Sequence, residues 1–132
     1  MSKMIFLDTS GKMLHYNSNK APVSIRIEDV LFIKGDGSYV EIYVEEKTKT
    51  ILVPCLLRYM EELLKDNDFI RCHNSWLVNL NKIDAFCKNE MMLIVSQYVI
   101  PISRRGWKNT KWILADSGIE FVKEIKSGLT NL

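Results

Sequence analysis

Residues Phe69 to Ile83 read FIRCHNSWLVNLNKI, and the fold turns on how this run is divided. Its second half alternates, Trp76, Val78 and Leu80 against Leu77 and Asn79, which is the period of a half-buried strand. Its first half is different. Between Ile70 and Trp76 stand Arg71, Cys72, His73, Asn74 and Ser75, five consecutive polar or reactive residues. A cysteine beside a histidine suggests a nucleophile or a metal ligand. The same cluster also reads as a turn whose hydrogen-bonding groups face something outside the protein.

Outward from this run the chain is mostly short strands. MIFLDTS and KMLHY flank a Gly11 turn, and VSIRI alternates Val23, Ile25 and Ile27 with Ser24 and Arg26. In SYVEIYVEE, Val40, Ile42 and Val44 fall on one face and Tyr39, Glu41 and Tyr43 on the other. With TKTILV after a polar EEKTK, residues Tyr39 to Val53 read as a hairpin. KGDGS, Lys34 to Ser38, lacks P-loop spacing and precedes a strand, so it reads as a tight turn with Gly35 and Gly37 free to take positive φ. MMLIV and YVIPI pair around Ser96-Gln97.

Two segments have helical character. In PCLLRYMEELLKD, Leu56, Leu57, Met60, Leu63 and Leu64 share one face, Pro54 suits the first helical position, and Asp66-Asn67-Asp68 ends the helix. After Ser103, a candidate N-cap, RRGWKNTKWIL predicts a short helix with Arg104, Lys108 and Lys111 on one face. Gly106 weakens that helix by up to about 1 kcal/mol. GIEFVKEIKSG stays open between strand and helix. The expected class is mainly β, an array of small antiparallel sheets with one short amphipathic helix and a short C-terminal helix.

Bulk properties narrow the function. The 132 residues suit one domain with its own core. No apolar run reaches the roughly 18 residues of a membrane span. The start, MSKMIFLDTSGK, has no long apolar segment or small-residue cleavage site, so no secretory leader is expected. Cys55, Cys72 and Cys87 are odd in number and without C-x-x-C spacing, which points to reduced cytoplasmic thiols and to no metal or cofactor. Neighbours on a strand face opposite ways, so Cys72 and His73 make a poor nucleophile–base pair, and His15 is the other histidine. Catalysis is therefore not expected, nor is a small-molecule substrate. The net charge of +2 hides an asymmetry. Residues 23 to 68 carry six Lys/Arg against ten Asp/Glu, whereas residues 69 to 112 carry seven against two. A basic second half suits an anionic partner.

Three landmarks in order carry a resemblance: IEDVLFIKGDGSYVEIYV, then LLRYMEELL followed by FIRCHNSWLVNLNKI, then IPISRR. Together they resemble the LytTR DNA-binding domain of bacterial transcription regulators, over about Val23 to Lys111, with residues 112 to 132 as a C-terminal extension of one domain spanning residues 1 to 132. The resemblance implies that loops at one edge of the fold enter DNA grooves without a recognition helix. Carried across, the base contacts are Tyr39 (or Ser38), Asn74 and Arg104. Arg71, His73, Ser75, Arg105 and Lys108 become supporting or phosphate contacts. A second assignment stays open, in which His73 and Ser75 point inward and pin the turn. About twenty residues precede the match, too few for a receiver domain, so phosphorylation control within the chain is not expected. The expected partner is double-stranded DNA, with tandem half-sites, a homodimer on DNA and no membrane. The alternative is a LytTR-like interaction module that modulates DNA-binding relatives.

Overall fold

The computed structural model describes residues 4 to 18 and 21 to 132. Met1 to Lys3, which open the segment read for a leader, lie outside the described residues. Among the described residues, three sheets and two α-helices make up the architecture. The first sheet is an antiparallel meander of β1 (Ile5–Leu7), β2 (Met13–Asn17) and β3 (Pro22–Arg26). The central sheet contains β4 (Val30–Asp36), β5 (Tyr39–Val44), β6 (Ile51–Val53), β7 (Phe69–His73) and β8 (Trp76–Asn79), in the order β6-β5-β4-β8-β7. The third sheet is built on β9 (Ala85–Cys87), β10 (Met92–Val95) and β11 (Tyr98–Pro101). Between β6 and β7 runs helix α1 (Leu57–Leu63), and α2 (Arg104–Asp116) follows β11.

Both faces of the central sheet are buried, so its strands are not the half-exposed strands that their alternation suggests. Ile33, Val40, Ile42 and Leu77 face a first core with Leu14 and Ile25 of the first sheet, Met60 of α1 and Leu64 at its C-cap. Phe32, Tyr43, Trp76 and Val78 face a second core with Phe86, Leu93 and Ile100 of the third sheet and Leu114 of α2. Alternation thus separates two cores rather than core from water. A register shift between Val30 and Phe32 lets Leu31 and Phe32 both join the second core. Asn79 is buried between these layers, where its Nδ2 donates to the Val30 carbonyl at 2.8 Å and its Oδ1 accepts from Asn81 N at 3.1 Å. A polar residue survives there because each of its ends is bonded.

Several local expectations change. Helix α1 begins at Leu57 with Leu56 as its N-cap, so Pro54 sits in the bend after β6 and not at the first helical position. Leu56 is exposed instead of sharing the apolar face. Gly37 does take positive φ, at 61°, but Gly35 does not. A Cβ at Gly35 would come within 2.9 Å of the Leu57 Cβ, so this glycine serves the close approach of α1 to β4. The open C-terminal segment resolves as β12 (Glu120–Val122), and β13 (Thr130–Asn131) follows; they add in parallel to β9 and β11 respectively.

Candidate nucleic-acid interface

Three polar segments meet at one end of the central sheet. In β4 and β5, Asp36 pairs with Tyr39 across the Gly37-Ser38 turn. In β7 and β8, His73 pairs with Trp76 across the Asn74-Ser75 turn. Strands β4 and β8 are antiparallel neighbours in the register Lys34 to Trp76, so the two turns lie side by side. Gly35 N donates to the Ser75 carbonyl at 2.8 Å and ties them together. The third segment, the start of α2, is fastened to β7 by Ser103 N donating to the Cys72 carbonyl at 3.0 Å.

The register shift between Arg71 and His73 puts Cys72 at an irregularity in the β7–β8 ladder, and its carbonyl turns to α2. Gly106 allows that approach. A Cβ on it would fall 1.8 Å from the Cys72 carbonyl oxygen, so no other residue fits without moving the helix. Ser103 caps α2 as its spacing predicts, its Oγ accepting from Gly106 N at 2.9 Å. One turn later the buried Thr110 donates to the Gly106 carbonyl at 2.6 Å.

Arg71 is a brace. Its Nε donates to the His73 carbonyl at 3.1 Å, one terminal nitrogen to the Asn74 carbonyl at 2.6 Å, and the other to Glu61 Oε1 of α1 at 2.6 Å. The planar fork of a guanidinium suits this divided task, which an ammonium cannot copy. His73 adds a second restraint, since its Nδ1 accepts from Ser75 N at 3.1 Å. The ring proton therefore resides on Nε2. The His73 ring thus bonds the Ser75 backbone within the turn.

What these restraints hold in place is exposed. Tyr39 keeps 51% of its surface, and Ser38, Asn74, Arg104, Arg105 and Lys108 are all exposed. Among the described residues, Arg104, Arg105 and Lys108 enter no ion pair. Tyr39, Ser38, Asn74, Ser75, Arg104 and Arg105 are thus brought to one edge, while Lys108 lies a turn further along α2. Lys34, which the sequence did not single out, stands at the same end with its Nζ 5.4 Å from the Trp76 ring centroid. A cleft of about 620 Å³ opens beside the edge, walled by Glu61, Arg71, Asn74, Ser103, Arg105 and Asn109. Glu61 and Asn109 were also missed, and a single sequence carries no signal for either.

The cysteine–histidine reading finds no support in the geometry. Cys72 is buried, and burial pushes its thiol up to about 12. Its Sγ lies 3.6 Å from the Pro101 carbonyl. His15 belongs to the first sheet, where its ring bonds Ser24 and Asp8. Among the described residues no group of three or more His, Cys, Asp or Glu gathers as a metal site. No described helix is long and apolar enough to cross a membrane.

Comparison with known proteins decides the family. The family model for the LytTr DNA-binding domain matches residues 20 to 115. The chain belongs to the LytTR family of DNA-binding domains. A solved structure, the LytTr DNA-binding domain of a putative methyl-accepting/DNA response regulator from Bacillus cereus, shares the fold with a TM-score of 0.63. At 21% identity it covers 82% of this chain and 98% of its own. No curated protein matches the chain. DNA is therefore the partner class of this LytTR domain, and its mainly β architecture is that of the family.

Proposed function

We propose that this LytTR domain reads double-stranded DNA in a sequence-specific way and serves a bacterial transcription regulator. The observation that carries the reading is the shared edge: two turns and a helix start, joined by backbone hydrogen bonds, present Tyr39, Asn74 and Arg104 to solvent. Each side chain has a matching task. The Asn74 amide can pair with adenine N6 and N7, and the Arg104 guanidinium with guanine O6 and N7. Tyr39, with Ser38 beside it, offers a hydroxyl and a flat ring at the neighbouring turn. Arg105 and Lys108 supply phosphate contacts that set the register on the duplex. Arg71, His73 and Ser75 support the Asn74 turn. No cofactor takes part. Tandem half-sites, each taking one copy, would raise the affinity by avidity.

The test is selection of bound duplexes from a random pool with the wild type and an Asn74→Ala/Arg104→Ala double variant. Enrichment of a short motif, repeated at about one helical turn and lost in the double variant, is the expected result. No enrichment by the wild type at low salt would refute sequence reading. The interaction-module alternative would then take its place.

A further inference from the structure

We propose that Glu61 of α1 is a specificity-determining residue, acting through Arg71 to position the Asn74 turn. The inference rests on the DNA-reading assignment above and extends it to a residue on another element. An acid close to a DNA-facing edge ordinarily weakens binding by repelling phosphate, so its presence requires an account. Here the account is geometric. Arg71 bonds two successive parts of one turn, the carbonyls of His73 and Asn74, and those bonds fix where the Asn74 side chain emerges. The Glu61 carboxylate, 2.6 Å from the third corner of the fork, sets the roll of the guanidinium about its own axis.

Burial supports the same reading. The Arg71 side chain keeps only 26% of its surface and Glu61 45%, so the cation is turned toward the protein, unlike Arg104 and Arg105. An arginine serving as a phosphate contact would extend outward with its fork free. Three of the five N–H donors of this guanidinium already serve protein acceptors, which leaves one on each terminal nitrogen and a fork no longer free to turn toward a phosphate. Glu61 is carried on a helix that packs against β4 and β8, so the brace refers the turn to the rigid centre of the sheet. Arg71 and Glu61 wall the cleft beside Asn74, so the ionic brace adds, on the open side, to the His73–Ser75 and Gly35–Ser75 bonds that also hold the turn.

Glu61→Gln separates the two roles by sign. The duplex used is the one the wild type enriches from the random pool, compared with a scrambled duplex of equal length across a salt series. A positioning role predicts an unchanged affinity and salt slope for the scrambled duplex. The preference for the selected duplex should fall by about tenfold, the size of one lost charge-assisted hydrogen bond. Arg71→Lys should lose the same preference, because it keeps the charge and loses the fork. A merely neutralising role predicts the reverse: Glu61→Gln would bind both duplexes more tightly, with a steeper salt slope, and that outcome overturns the proposal. A second readout needs no DNA. In Glu61→Gln the backbone amides of Asn74 and Ser75 should shift and exchange faster by NMR, with a melting temperature lowered by only about 5 °C. Unchanged amides would overturn the brace even if the wild type reads DNA. Failure of the wild type to enrich any motif would instead remove the DNA reading itself.

Discussion

Gly106→Ala is a substitution for which two elementary expectations have opposite signs. In an uncrowded helix interior, alanine in place of glycine gains about 1 kcal/mol of helix propensity. At this position the new Cβ would lie 1.8 Å from the Cys72 carbonyl oxygen and 2.4 Å from its carbon. The opposing atoms are backbone, fixed between the ladder pairs of Arg71 and His73 on either side, so they cannot swing aside as a side chain would. Restoring ordinary contact requires α2 to withdraw by about 1.5 Å. The hydrogen bond from Ser103 N to the Cys72 carbonyl, now 3.0 Å, would then be lost. Overpacking costs about 1–3 kcal/mol and the lost bond about 1, against the propensity gain of about 1. The net is a destabilisation of about 1–3 kcal/mol, equivalent to a melting temperature lowered by roughly 5–10 °C in a chain of this size. Because Arg104 begins the displaced helix, discrimination between selected and scrambled duplexes should fall more than the affinity for scrambled DNA. Differential scanning calorimetry and anisotropy titrations measure the two effects. A melting temperature equal to or above wild type would refute the reasoning, since it would mean that the helix is free to move without losing contact with β7.

Arg104→Ala is expected to cost about 1–3 kcal/mol on the selected duplex and to relax preference at one base, whereas Lys108→Ala should weaken all duplexes alike and reduce the salt slope by about one; an unchanged slope would remove Lys108 from the phosphate contacts. Asp36, exposed at the turn beside Tyr39, should oppose phosphate, so Asp36→Asn is expected to tighten binding to every sequence at low salt. A change of preferred base in that variant would make Asp36 a reader instead. Cys72 has a folded pKa raised to about 12 from its ordinary 9.0, so its contribution to stability is complete below pH 9.0 and is lost as pH rises through about 12. Urea midpoints measured from about pH 8 to 11 should therefore fall more steeply for the wild type than for Cys72→Ala, and parallel slopes would count against a buried neutral thiol.

Much of this architecture follows from local pattern. The alternation in SYVEIYV, the glycine at position 37 and the serine at 103 each specify a strand, a turn or a cap through forces that act within a few residues. The missing parts depend on partners distant in the chain. Periodicity reports that Trp76 and Leu77 face opposite ways, but not that each side is covered by a different sheet. Gly35 and Gly106 read as a turn residue and a helix weakener, because the atoms that require them belong to Leu57 and Cys72. The IPISRR landmark brought Arg104 forward as a base contact, and its side chain is exposed, while the direction of the Arg71 fork depended on Glu61, ten residues away on another element. In isolation, either arginine is an equal candidate for DNA.

The division of labour between these two arginines bears on how so weakly charged a chain could select a DNA sequence. With a net charge of +2 and ten acids among residues 23 to 68, its electrostatic affinity rests on the basic residues of the second half. Discrimination then has to come from readers whose geometry is set before contact, since each side chain or loop ordered on binding subtracts from an already modest free energy. The observed restraints act at that point. Backbone bonds fix the two turns to each other, the Cys72 carbonyl fixes the helix start to β7, and Arg71 fixes the outline of the Asn74 turn. On the proposed reading, a cation spent inward at position 71 gives up one phosphate contact and gains a defined exit for the amide. Two copies on adjacent half-sites would restore the affinity that a single copy lacks, without adding charge that strengthens binding to every sequence alike.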